Sequence, residues 1–372
     1  MIPQNNPLAN YVSQKPAIDQ AIDRVLASGQ YILGPETTGF EDDFARYLGV
    51  SYAVAMGSGT EALHLGLRAC GVGPGDEVIT VSHTAVATVA AIEMTGARPV
   101  LVDIETDTYT LDPGEAQKAL TGRTKAIVPV HLYGQPSNIK PLLELRNGSG
   151  KIRIIEDCAQ AHGSLYGDRK AGAWGDAAAF SFYPTKNLGC LGDGGAVVTN
   201  SRSLHERLLA LRQYGWDRKR VSQTAGFNSR LDEVQAAVLR IKLVQLEDNN
   251  RRRRNIARSY DQLLAAKDIS LPRTRPESTH VYHQYVIRVK GREVRDRLKA
   301  FLFKHRIGTA VHYPIPVHLQ PAYVDRLAVP GALPVTEACA QTVLSLPMFP
   351  EIPEKDILQV AQTVNAFFNK KT

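Results

Sequence analysis

The sequence predicts an α/β fold, a mostly parallel sheet flanked by helices, with a smaller C-terminal α+β domain behind it. Two observations predict it. Short apolar runs alternate with helical stretches from Tyr52 to Thr199, and such alternation builds a parallel sheet covered on both faces. After Asn228 the alternation stops and long amphipathic stretches take over. A chain of 372 residues has room for a large domain and a smaller companion. The division is placed at 1–250 and 251–372.

Each element has a local reason. Helices 15–28 and 40–48 end at Gly29 and Gly49, residues that tolerate the left-handed turn after a helix. Strand 52–56 leads into helix 60–69, which Gly71 stops. Strand 76–81 is followed by the helical stretch 84–95. Further strands are expected at 100–102, 126–130, 152–155, 177–182 and 195–199, with helices between several of them. Residues 231–264 read as one or two long helices, with Val234, Val238, Ile241 and Leu243 on one side. The proline-containing stretch 271–276 reads as a linker. Strand 282–289 and helices at 293–305, 335–343 and after Pro353 complete the smaller domain.

Bulk properties narrow the class. Hydrophobic content of 44% and charged content of 22% are those of a globular protein. The net charge is +7, yet the densest basic run, 251–254, follows Glu247 and Asp248 and reads as a solvated helix face rather than a nucleic-acid surface. Four cysteines, at 70, 158, 190 and 339, form no close pair, which fits free thiols in a reducing cytoplasm. The first residues lack a basic and apolar leader pattern. Apolar stretches such as 84–92 are too short to span a bilayer. A cytoplasmic protein with no nucleic-acid or membrane partner is expected.

The chemistry concentrates in two segments, Glu156-Asp157-Cys158-Ala159-Gln160-Ala161-His162-Gly163 and Ser181-Phe182-Tyr183-Pro184-Thr185-Lys186-Asn187. Asp157 ends an apolar strand, and Lys186 sits in a loop between Pro184 and Gly189. Pyridoxal phosphate needs this pair: a lysine to hold its aldehyde as a Schiff base, and an acid to pair with the protonated ring nitrogen. Gly57-Ser58-Gly59-Thr60 joins a strand to a helix start, where free backbone amides and small hydroxyls suit a phosphate ester. It lacks the lysine of a nucleotide-binding P-loop. Gly71-Val72-Gly73-Pro74-Gly75 follows a helix rather than a strand, so it is not a dinucleotide fingerprint. Cys158, His162 and Cys190 complete no metal-ligand pattern, and no metal is expected. His312, Tyr313 and His318 lie on an irregular stretch suited either to lining a site or to surface turns.

With these motifs in place, the chain resembles the sugar aminotransferases of the DegT/DnrJ/EryC1 family over nearly its whole length. That resemblance implies the fold-type-I, aspartate-aminotransferase-like architecture. It implies that Lys186 carries pyridoxal 5'-phosphate and that Asp157 holds the ring nitrogen, with Gln160 near the ring hydroxyl. Ser58, Gly59, Thr60 and Ser181 would cradle the phosphate, and Asn228 would reach that phosphate from the second subunit of a homodimer with shared active sites. Tyr183, His312, Tyr313 and His318 would face the substrate. Many relatives carry an aromatic residue after the threonine matching Thr84. Here that position is Ala85, and ring stacking is assigned to His83 instead. The 81–88 segment is similar to the subgroup that aminates carbon 3 of dTDP-3-keto-6-deoxyhexoses.

The function implied is transamination from L-glutamate to a nucleotide-linked keto sugar, through the pyridoxamine 5'-phosphate form of the cofactor. The alternatives are a C-4 aminotransferase acting on a dTDP- or UDP-4-keto sugar, a sugar dehydratase, or a non-catalytic cofactor-binding regulator. Lys186 argues against the dehydratases, which carry histidine there.

Overall fold

The computed structural model describes residues 1–369. Three helices open the chain: α1 (Pro7–Ser13), α2 (Lys15–Ser28) and α3 (Pro35–Leu48). The first is absent from the sequence reading, although Asn6-Pro7 marks its start: the Asn6 side chain caps the Ala9 amide, and Pro7 occupies the first turn. The chain then runs β1 (Tyr52–Met56), α4 (Gly59–Ala69), β2 (Glu77–Val81), α5 (Val86–Glu93), β3 (Arg98–Val102), α6 (Pro113–Lys118) and β4 (Thr124–Ile127). Next come α7 (Ile139–Ser149), β5 (Arg153–Asp157), the β6–β7 hairpin (Leu165–Tyr166 and Arg169–Lys170), β8 (Ala177–Ser181), β9 (Gly195–Thr199) and α8 (Arg202–Leu211).

The seven-stranded sheet has the order β1-β9-β8-β5-β4-β2-β3. Only β9 runs against the others. Its strands are buried on both faces, which explains their continuous apolar runs. In β8, Ala177 and Ala179 join a cluster with Leu65 and Leu208, while Ala178 and Phe180 join another with Phe40 and Phe44. The period-two alternation therefore divides one strand between two cores.

The remaining elements are α9 (Glu233–Val244), α10 (Leu246–Leu263), β10 (Ile269–Ser270), β11 (Ser278–Thr279), β12 (Tyr285–Val289), α11 (Arg292–Lys304), α12 (Pro334–Thr342), β13 (Val343–Leu346) and α13 (Glu354–Asn369). Strands β10, β12 and β13 form a separate antiparallel sheet. Its core contains Tyr260, Tyr285, Leu298, Leu344 and Val360. The helix α10 runs unbroken through residue 250. The 271–276 stretch connects β10 of this small sheet to β11, which pairs with β6 of the 165–170 hairpin, and Arg275 within it pairs with Glu105.

Functional geometry follows from the strand sense. The turns leaving β1, β2, β5 and β8 all open at the same edge of the sheet, the carboxyl end at which ligands bind in open α/β folds. Among the described residues, no helix is long and apolar enough to cross a membrane.

Candidate active site

Four loops converge at that edge around a cavity of about 240 Å³. Ser58, Gly59, Thr60 and Ser181 line one part of it, and Thr84, Ala85, Asp157, Gln160, Tyr183 and Lys186 line the rest. A larger cavity of about 830 Å³ lies at the far end of α4, around Arg68, Gly73 and Arg207. An 11-residue helix separates the two by about 15 Å, and the lysine–aspartate pair belongs to the smaller one.

The Lys186 loop is braced along its length. Phe182 N–H donates to Gly194, Lys186 N–H to Tyr183, and Cys190 N–H to Phe182, each at 2.8 Å. A Cβ at Gly189 would stand 2.6 Å from the Pro184 carbonyl oxygen, so the loop closes only around a glycine. The buried Lys242 ammonium donates to the Gly189 carbonyl at 2.7 Å, and Asn187 donates to Asn250 and to the Val281 carbonyl. By contrast, the Lys186 amine has no hydrogen-bond partner among the described residues. Burial lowers its pKa to about 8, against the opposing pull of Asp157.

Asp157 stands at the end of β5 with 8% of its surface exposed. Its carboxylate accepts from Thr88 Oγ1 at 2.9 Å and from the Ala159 amide at 3.1 Å. Thr88 in turn lies 2.9 Å from Thr84 Oγ1. The sequence reading missed Thr88. The Thr84-x-x-x-Thr88 pair is visible in the sequence, but the two hydroxyls meet across the extended residue that precedes the helix start. That start is later than expected, because Ala85 is extended (ψ 143°) and leaves residues 82–85 as a loop over the cavity.

The phosphate end rests on α4. Ser58 caps the helix by accepting from the Glu61 amide at 3.2 Å, while the amides of Gly59 and Thr60 precede the first intrahelical bonds. A Cβ on Gly59 would lie 2.5 Å from Ser181 Cβ, and one on Gly195 would lie 2.3 Å from the Ser58 carbonyl oxygen. The cradle is therefore open only because these positions are glycine. Free amides at a helix start, beside serine and threonine hydroxyls, fit the phosphate of pyridoxal phosphate. The unpartnered lysine and the buried carboxylate fit its aldehyde and ring nitrogen.

Gln160 makes two contacts. Its Oε1 accepts from the Tyr133 amide at 2.7 Å, and its Nε2 donates to the Tyr313 hydroxyl at 2.9 Å. Tyr313 thus joins the site through Gln160. His312 bonds Ser345 at 2.8 Å, and His318 bonds the buried Ser82 at 2.7 Å. These two bonds fasten the 312–318 stretch to β13 and to the loop after β2; neither histidine lines the cavity. Tyr183 lines it and is 51% exposed. Asn228 is exposed and does not line the cavity of its own chain, although its neighbour Ser229 bonds Glu61 and the Gly57 amide beside the cradle.

His83 lies elsewhere than the position expected of a ring-stacking residue. It is fully buried, and its Nε2 lies 2.9 Å from the Tyr133 hydroxyl. The residues of that loop that line the cavity are Thr84 and Ala85. The His83 ring packs instead into the interior, where its contact is the buried Tyr133.

His131, Glu156 and Cys158 bring ligand-type atoms within 4.8 Å of one another. Hydrogen bonds already occupy the first two. Glu156 accepts from His131 Nε2 and from the Gly172, Trp174 and Gly175 amides, and His131 Nδ1 accepts from the Ser137 amide. This arrangement anchors the strand that carries Asp157 and does not fit a metal centre.

The profile of the DegT/DnrJ/EryC1/StrS aminotransferase family matches residues 12–365. The chain is 49% identical over 357 residues to a dTDP-3-amino-3,4,6-trideoxy-alpha-D-glucose transaminase of Streptomyces venezuelae, covering 96% of this chain and 93% of that protein. It is 47% identical over 359 residues to the erythromycin biosynthesis sensory transduction protein EryC1 of Saccharopolyspora erythraea, covering 96% and 97%. Among solved structures, that of S. venezuelae DesV in complex with a ketimine intermediate superposes with a TM-score of 0.96 at 47% identity, covering 100% of this chain and 99% of that one. The lysine, the strand-end aspartate and the phosphate cradle thus have their context, and the chain belongs to the DegT/DnrJ/EryC1/StrS aminotransferase family, as a pyridoxal-phosphate-dependent aminotransferase.

Proposed function

We propose that this aminotransferase moves the amino group of L-glutamate to carbon 3 of a dTDP-linked 3-keto-6-deoxyhexose. The observation that carries the sugar assignment is the 49% identity, over 96% of the chain, with a transaminase whose name specifies a dTDP-linked 3-amino sugar. Pyridoxal phosphate supplies an electron sink for the electron pair left when the α-carbon C–H bond breaks.

The chain's own residues do the rest. Lys186 Nζ takes the α-proton of the amino donor and returns a proton in the second half-reaction. Its lowered pKa lets it act as base and as acid near neutral pH. Asp157 keeps a proton on the ring nitrogen, and Thr88 and the Ala159 amide hold its carboxylate in place. Ser58, Gly59, Thr60 and Ser181 would hold the phosphate, and Gln160, fixed by Tyr133 and Tyr313, would help to orient the ring. Tyr183, His312, Tyr313 and His318 form the substrate side, the two histidines acting through the segment they fasten. Thr84 and Ala85, which line the cavity, would contact the bound cofactor, and the small Ala85 side chain would take little of the space a sugar needs.

We further place Asn228 in the active site of a second copy within a cytoplasmic homodimer. The support is its exposure on the 214–228 segment, where Tyr214 and Val221 are exposed as well. The domain division stays at residues 250/251, within α10.

A regulatory role, of the kind the EryC1 name describes, leaves the unpartnered Lys186 amine and the complete Asp157 environment without a purpose. The deciding experiment offers the pyridoxamine form a panel of 3-keto and 4-keto nucleotide sugars and identifies products by mass spectrometry and NMR. Amination at carbon 3 of a dTDP sugar is the expected result. Product from a 4-keto sugar alone would overturn the sugar assignment, and no product with any sugar would favour the regulator.

A further inference from the structure

Two hydrogen-bond chains meet at Tyr133, and the chemistry of their donors and acceptors fixes the direction of each. The Tyr133 hydroxyl donates to the His312 carbonyl, a group that only accepts. A phenol has one hydrogen, so at its other contact, His83 Nε2 at 2.9 Å, the Tyr133 oxygen is the acceptor. His83 therefore carries its hydrogen on Nε2. Its Nδ1 is buried without a partner among the described residues, and burial lowers its pKa to about 4, so the ring is neutral.

The second chain starts at the Tyr133 backbone. This N–H donates to Gln160 Oε1 at 2.7 Å, which forbids a flip of the Gln160 amide. Gln160 Nε2 must then donate to the Tyr313 oxygen at 2.9 Å. The Tyr313 hydroxyl hydrogen has no acceptor among the described residues. Burial, with the Asp157 charge adding to it, raises the Tyr313 pKa and keeps that hydrogen in place.

We propose that His83 and Tyr133 are positioning residues that hold the His312–Tyr313 segment against Gln160, so that Tyr313 presents its O–H as a donor to the ring oxygen of the bound cofactor. This inference rests on the assignment of the cavity to that cofactor. A donor at an anionic ring oxygen withdraws electron density and lowers the basicity of the nitrogen that joins the cofactor to Lys186. Loss of the donor raises the pH at which the visible absorption of the bound cofactor changes.

The test titrates that absorption in the holoenzyme. Tyr313→Phe is expected to shift the transition upward by about half a unit to one unit, the size of one hydrogen bond. Tyr133→Phe keeps the backbone N–H but unties His312 and is expected to shift it in the same direction. The double variant is expected to shift no further than Tyr313→Phe alone. A merely structural Tyr133 would lower the melting temperature and leave the transition in place, which would overturn the proposal, as would additive shifts or an unmoved Tyr313→Phe. If Tyr133→Phe fails to fold, His83→Gln and His83→Leu serve instead. The glutamine retains an N–H donor and is expected to titrate like wild type, whereas the leucine is expected to shift; equal behaviour of the two overturns the proposal. A wild-type visible band that survives Lys186→Ala would instead overturn the cavity assignment itself.

Discussion

Lys186 illustrates how burial sets reactivity. An exposed lysine amine is almost wholly protonated at neutral pH, but this one titrates at about 8 because its charged form has lost water. Only the neutral amine attacks an aldehyde. The rate at which apo-protein takes up pyridoxal phosphate is therefore expected to rise about tenfold per pH unit below pH 8 and to level off above it. A stopped-flow absorbance series measures this, and a rate still climbing steeply past pH 9 would contradict the lowered pKa. Asp157→Asn cannot hold the proton on the ring nitrogen, and both half-reactions are expected to slow by about 10² or more, the usual cost of removing a preorganised charge partner. Thr88→Val keeps the shape but deletes one of the two donors to Asp157, so a milder loss, about tenfold, is expected in the same single-turnover measurement. The lysine and aspartate were legible in the sequence as residue types in a recognisable order. Thr88 was not, because its relevance depends on a contact with a residue 69 positions away.

At the scale of elements, the first turn of α4 is the most constrained piece of the site. Ser58, Gly59 and Thr60 serve simultaneously as helix start and phosphate cradle, and β8 passes so close that a side chain at 59 would meet Ser181 at 2.5 Å. Gly59→Ala is expected to push α4 away from β8. The folded protein should lose about 1–3 kcal/mol, as overpacked positions do, and the cofactor dissociation constant should rise, measured by thermal melting and by fluorescence titration of the apo-protein. Unchanged cofactor affinity would remove the α4 start from the phosphate site. The sequence reading located the strand–turn–helix unit here with only a one-residue difference at the helix start. It placed the start of α5 two residues early, because Thr84 and Ala85 have ordinary helical composition; their extended conformation serves the cavity rather than local propensity.

For the whole molecule, Asn228 is the site residue whose proposed use depends on a second copy of the chain. It is exposed, and its neighbour Ser229 is bonded beside the cradle. If it serves a second copy, mixing Lys186→Ala with Asn228→Asp subunits puts both lesions in one site and leaves the other intact. Activity is then expected to rise on subunit exchange, toward about half of wild type per dimer for independent sites. Verified exchange without recovery would place Asn228 outside the partner's site. The exposed Tyr214 and Val221 on the same segment are expected to become protected from solvent in the dimer, a change that hydrogen exchange of their amides can follow.

The sequence by itself determined the architecture and the chemistry. Strand–helix alternation is written in local periodicity, and a strand-end acid followed by a loop lysine is a linear pattern, so both survive without coordinates. The tertiary structure decided which side chains face the cavity and in which direction their hydrogen bonds run. His83 is the clearest case: its composition and neighbours fit a ring-stacking role, yet the fold turns it into the interior to meet Tyr133, 50 residues away, and through Tyr133 the His312 carbonyl, a further 179 residues along the chain. The physical reason is that periodicity encodes which face of an element is buried, whereas the polarity of a hydrogen-bond chain depends on groups brought together only by long-range packing.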